Sequence, residues 1–141
     1  MLTAADVTAA IGAAVGAGAM KDSSQPLLET TQCNWPSATT PASRTAGFLI
    51  ECSDRPDLHP VVTKESSQQF YRNVVAVSGF GDAAFWGWDW YVDKTVPPGS
   101  GALSILIGTN IQLIVGAEGM PDEATCRAAS EQLARKALAK L

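Results

Sequence analysis

The stretch VSGFGDAAFWGWDWYVD, residues 77–93, decides between two folds. Gly79, Gly81 and Ala84 match the spacing G-x-G-x-x-A of a dinucleotide-binding turn, which closes a strand and opens a helix whose N-terminus meets a pyrophosphate. Residues 85–92 are instead aromatic and β-forming, so no helix begins there and the match fails. The two glycines make a tight turn around Phe80 between two strands, NVVAVSG before it and AFWGWDWYV after it. In an extended strand Trp86, Trp88 and Trp90 project to one face, and Phe85, Gly87, Asp89 and Tyr91 to the other. Asp89 and Gly87 mark the second face as the exposed one, so the tryptophans are expected on the core side, at least two of them buried. The competing expectation is an exposed aromatic platform for a ligand, built from Trp86, Trp88 and Trp90 with Trp35 and Tyr91.

Outward from this segment, GALSILIG and NIQLIVG alternate around a Gly-Thr-Asn turn, with Leu103, Ile105 and Ile107 on one face of the first and Ile111, Leu113 and Val115 on one face of the second. Upstream, TTQCNWPS and GFLIECSD are strand-like runs joined by a loop rich in Ser, Thr, Pro and Ala. MKDSSQPLLETTQ, before them, reads as irregular. Thr3 and Asp6 form the two halves of a capping box, and Leu2 and Val7 those of a hydrophobic staple, so a helix opens the chain with Val7, Ala10, Ile11 and Ala14 on one face. Pro60 is placed to open a middle helix through VVTKESSQQFYRN. PDEATCRAASEQLARKALAKL is the strongest helix, with Asp122 and Glu123 at its positive end and Arg135, Lys136 and Lys140 at its negative end. Its apolar stripe is Cys126, Ala129, Leu133, Ala137 and Leu141, and Glu123, Arg127, Glu131 and Arg135 form successive charge pairs outside. These elements predict one α+β domain over residues 1–141: a single antiparallel sheet of five or six strands, with N-terminal, middle and C-terminal helices packed against it.

The chain has 141 residues, of which 17% are charged, and a net charge of −4. Its ten Lys and Arg are scattered apart from a small group at the C-terminus, which excludes the basic footprint of a nucleic-acid or anionic-membrane partner. The small, apolar N-terminus is neither a signal peptide nor a span, because its first cation is Lys21, Asp6 interrupts it, and Ala and Gly supply little transfer energy. Met1 directly before a well-formed cap reads as a start codon added to a mature domain from which a signal had been removed.

Cys33, Cys52 and Cys126 are an odd set without C-x-x-C spacing, and His59 is the single histidine, so no metal site is expected. Cys33 and Cys52 sit in facing strands and are expected to form a disulfide; Cys33 with Cys126 is the alternative pairing, and three buried thiols in a cytoplasmic protein the third. His59 lies in a proline-flanked turn and no G-x-S-x-G is present, so no catalytic residue and no cofactor is assigned. The acid pairs Asp54 with Asp57 and Asp89 with Asp93 read as solvated surface.

Cys33-x-Trp35, VSGFGDAAFW at residues 77–86, the hairpin after it, and C-x-x-A-x-x-x-L-A-x-x-x-L at residues 126–138 together resemble small lipoprotein and sensor-type domains of the bacterial cell envelope, of unknown function. The resemblance covers most of the chain from Leu2 onward. It implies an extracytoplasmic domain, periplasmic or secreted and lipid-anchored in its precursor, though the lipobox cysteine is missing here. No catalytic residue comes with it. The expected function is a non-catalytic binding or sensor-type domain for a small molecule, glycan or protein. The alternatives are a hydrolase-like enzyme with an unidentified site, and a structural subunit that uses the Trp86–Trp90 strand as an interface.

Overall fold

A computed structural model describes residues 2–23, 28–38, 44–53, 55–92, 95 and 98–141. Its strands are β1 (Ala19–Asp22), β2 (Glu29–Trp35), β3 (Thr45–Cys52), β4 (Tyr71–Ala76), β5 (Ala83–Trp90), β6 (Gly101–Ile107) and β7 (Ile111–Glu118). They pair antiparallel throughout, in the spatial order β1-β2-β3-β7-β6-β5-β4. The α+β class with one sheet is therefore as expected, but the sheet has seven strands and not five or six. The additional strand is β1, inside the stretch that reads as irregular. Its four residues are all exposed, so they carry no burial alternation, and pairing with β2 alone makes them a strand.

One face of the sheet is the core. Cys33, Phe48, Val115, Leu103 and Trp86 stand side by side in register across β2, β3, β7, β6 and β5, all buried. Helix α3 (Glu123–Leu138) lays Cys126, Ala129, Leu133 and Ala134 on that face, and α1 (Ala4–Ile11) adds Val7 and Ile11 beside it. Full burial of each Leu, Ile or Val in this layer contributes about 1.5–3 kcal/mol.

Local chemistry sets the helix ends. The Asp6 amide donates to the Thr3 hydroxyl while the Asp6 carboxylate accepts from the Thr3 amide, and α1 ends at Gly12, whose φ of 64° is left-handed. The Arg44 guanidinium then donates to the Ile11 carbonyl at 2.7 Å, satisfying an end that α1 leaves open. Asp6 also accepts from Lys136 at 2.7 Å, which ties the start of α1 to the last turns of α3. At the other end of α3, the Asp122 side chain accepts from the Thr125 amide at 2.7 Å.

The external charge ladder of α3 is only partly made. Arg127 and Glu131 pair at 2.9 Å, whereas Glu123 turns to Trp86 and Arg135 lies over the Phe80 ring at 4.4 Å. Leu141 falls beyond the helix and is 67% exposed, so the stripe ends earlier than the sequence pattern suggests.

The middle helix is shorter than expected. Helix α2 covers only Lys64–Gln68, opened by a Thr63–Ser66 capping box, and Tyr71, Arg72 and Asn73 belong to β4. A weak apolar stripe could not compete with the ladder in which Tyr71 faces Trp90 and Asn73 faces Trp88.

The expected disulfide is not formed, and no two of the three cysteines are bonded to each other. Cys33 faces Phe48 and Cys52 faces Glu29, so the two cysteines lie four positions apart along one ladder. That offset is about 13 Å, beyond the roughly 7 Å between Cα atoms that a disulfide can bridge. The alternative partner Cys126 packs its sulfur 3.4 Å from the Ala117 carbonyl on β7, with β3 between it and the strand of Cys33.

The turn between β4 and β5 contains Gly79 and Gly81 at φ of 84° and 54°. These left-handed residues flank Phe80 and deliver its ring to the core, where it is 2% exposed.

Candidate functional site

The tryptophans of β5 are divided between the two faces of the sheet. Trp86 is fully buried on the helix side, where Gly101 leaves room for its ring and Glu123 accepts its indole proton at 3.0 Å. Trp88 stacks beside it at 6.4 Å and packs at the rim of the core. Asp89 then adopts φ of 64°, the one left-handed non-glycine residue among those described. This break in the alternation brings Trp90 to the opposite face, edge-to-face with Tyr71 at 5.2 Å and stacked on Phe70 at 5.5 Å. The expectation that all three indoles share one face fails here, since it assumed an unbroken strand. Tyr91 is 42% exposed and donates its hydroxyl to the Gln68 carbonyl, and Trp35 is buried against Phe48. The five aromatic residues therefore do not form one platform.

The face away from the helices carries an unusual row. Asn34, Gly47, Gly116, Ala102 and Gly87 are neighbours in register across β2, β3, β7, β6 and β5. Four strand spacings make the row about 19 Å long. Glycine in a strand marks a place where something approaches the backbone closely. At the two ends, the occupant belongs to the chain: a side chain on Gly47 would run into the Asn34 amide, and one on Gly87 into the Tyr71 ring. Between them, the floor at Gly116 and Ala102 lies at the base of a cleft of about 560 Å³. That volume falls within the range of roughly 300–1,000 Å³ common for small-molecule sites.

The walls differ. Leu49 and Ile114 are register partners on one side, with Gln32 beside them, while Thr45 and Glu118 are partners on the other. The Thr45 hydroxyl donates to the Glu118 carboxylate at 3.1 Å, and Glu118 is the one charged residue lining the cleft among those described. Tyr71 and Trp90 form the aromatic end. Burial holds the Tyr71 hydroxyl protonated far above the usual phenol range, with Cys126 and the Glu118 charge adding to the effect. The Trp90 Nε1 proton is buried without an acceptor. An orphan donor of this kind costs about 1–3 kcal/mol.

Trp90 lines this cleft and Trp35 borders it, whereas Trp86, Trp88 and Tyr91 do not. Asn34, Tyr71, Glu118 and the small-residue row have no counterpart in the sequence-based set. Their signal was present as interior glycines at 47, 87 and 116 of alternating strands, but only register shows that they are neighbours. His59 follows the short 3-10 helix Pro56–Leu58, away from the cleft. Asp57 pairs with Arg55, which holds its carboxyl below the usual range, and Asp89 pairs with Arg72 at 3.3 Å. Asp54 and Asp93 lie outside the described residues. Among the described residues, no three His, Cys, Asp or Glu side chains gather as a metal site, and no helix is long and apolar enough to cross a membrane. No family model, curated protein or solved structure matches the chain.

Proposed function

We propose that this chain is a non-catalytic binding or sensor-type domain whose ligand occupies the cleft on the open face of the sheet. The observation that carries this is the Gly47–Gly116–Ala102–Gly87 row. An open antiparallel face ordinarily gains stability from bulky cross-strand pairs. Interior glycine instead costs roughly 0.5–1 kcal/mol relative to alanine, so the row gives up stability to seat the Asn34 amide and the Tyr71 ring at its ends and to leave the floor at Gly116 and Ala102 open between them. An extracytoplasmic location is part of the same proposal and rests on the resemblance to envelope domains. The unbridged cysteines add nothing to it.

Amide chemical shifts of the isotope-labelled protein test the site. Glucose, cellobiose, choline chloride, decanoate and inorganic phosphate are titrated separately. The proposal expects at least one of them to move Gly47, Gly87, Ala102 and Gly116 together. Shifts confined to other surfaces, or no shifts with any probe, would overturn it.

A further inference from the structure

We infer that the ligand of the cleft is a neutral saccharide, an assignment that rests on the cleft being the binding site. The charge balance comes first. Among the described residues, no Lys or Arg lines the cleft and Glu118 is the one charged side chain there, so these residues offer a carboxylate or phosphate ligand repulsion and no compensation. An acyl chain fits no better, because it would strip water from the amides of Gln32 and Asn34 and from the Tyr71 hydroxyl without replacing those hydrogen bonds.

A sugar hydroxyl both donates and accepts. Side-chain amides offer a donor and an acceptor in one plane, Glu118 accepts, and the Tyr71 phenol remains able to donate at any ordinary pH. The rings at the aromatic end supply the apolar surface on which the C–H face of a pyranose packs. Trp90 is braced from behind by Phe70 and from the side by Tyr71, so that surface is held in place before any ligand arrives. The Gly116 and Ala102 floor lets a flat ring lie close to the backbone between Asn34 at one end and Tyr71 at the other, and a cleft of about 560 Å³ has room for a disaccharide. A cation would use Glu118 and the rings but leave both amides unemployed.

Titration of the isotope-labelled protein with glucose, cellobiose and chitobiose to tens of millimolar, beside choline chloride and decanoate, tests the assignment. The Trp90 indole signal is the one lost in Trp90→Phe. A sugar is expected to shift that signal together with Gly116 and Ala102, the disaccharides binding more tightly than glucose. Tyr71→Ala should weaken binding about tenfold, the scale of one lost aromatic contact. Asn34→Ala, at an exposed side chain, tests the amide contact in a variant expected to keep its fold, and should weaken binding severalfold. If choline or decanoate moves these signals and no sugar does, the saccharide assignment falls while the cleft stands. If no probe moves them, both fall.

Discussion

The indole nitrogen of Trp86 donates a 3.0 Å hydrogen bond to the Glu123 carboxylate, joining the middle of β5 to the first turn of α3. One contact thereby satisfies the polar atom of a fully buried ring and places a negative charge at the positive end of a helix. Trp86→Ala should cost about 3–5 kcal/mol in chemical denaturation, as large-to-small changes of aromatic core residues do. Glu123→Ala strands the indole proton and should cost about 1–3 kcal/mol. Glu123→Gln keeps an acceptor and should cost less. Equal losses for the two Glu123 variants would show that the bond contributes nothing.

The two glycines around Phe80 should respond differently to alanine. At Gly79 a Cβ meets nothing within 4 Å, so only the left-handed backbone is penalised, by about 1–2 kcal/mol. At Gly81 the same atom would lie within van der Waals distance of the Leu106 carbonyl, whose backbone cannot give way without disturbing β6. Thermal unfolding should therefore rank Gly81→Ala well below Gly79→Ala. The reverse order would mean that the turn is built differently.

The acid limb of stability should carry the Asp6 signature. The bond from Lys136, then those from Thr3, hold the Asp6 carboxyl well below its usual range. A depressed folded-state pKa stabilises fully above the unfolded value, near about pH 4, and that contribution is lost as pH falls through the folded value. Asp6→Asn should consequently narrow its melting-temperature gap to the wild type as pH drops from neutral towards 2. A gap that stays constant with pH would rule out Asp6 as a source of the acid sensitivity.

Burial pushes the Cys126 thiol up to about 12 and also raises that of Cys33. Iodoacetamide at pH 8 should leave Cys126 unmodified in the native protein and label all three cysteines after denaturation. A disulfide-linked peptide in non-reducing mass spectrometry would contradict the ladder offset of Cys33 and Cys52.

Hydrophobic period and end signals made most elements readable. The capping box at Thr3, the stripe of α3 and the hairpin of β6 with β7 depend on residues close in sequence, so local chemistry identifies them. β1 and the short α2 were not readable in this way, since pairing with another strand decides them. The site was less legible still. Its floor draws one residue each from β3, β5, β6 and β7, and a glycine in one strand says nothing about which glycine lies beside it. A single left-handed aspartate redirected Trp90, and aspartate at position 89 looks in sequence like any exposed strand residue.

The pairing of β3 with β7 bears on how the chain reaches its native state. Residues 45–52 lie against residues 111–118, so the whole of residues 53–110 separates the two strands in sequence. Until β7 is available, β1–β2–β3 and β4–β5–β6 are two separate three-stranded ribbons with facing unpaired edges. Sheets whose joining contacts span a long loop close slowly, and open edges are where chains pair wrongly. Pulse-labelling hydrogen exchange during refolding should therefore show amides within the β4–β5–β6 ribbon protected before those shared by β3 and β7. During synthesis, β3 would leave the ribosome long before the strand it pairs with, and its open edge would wait for β7.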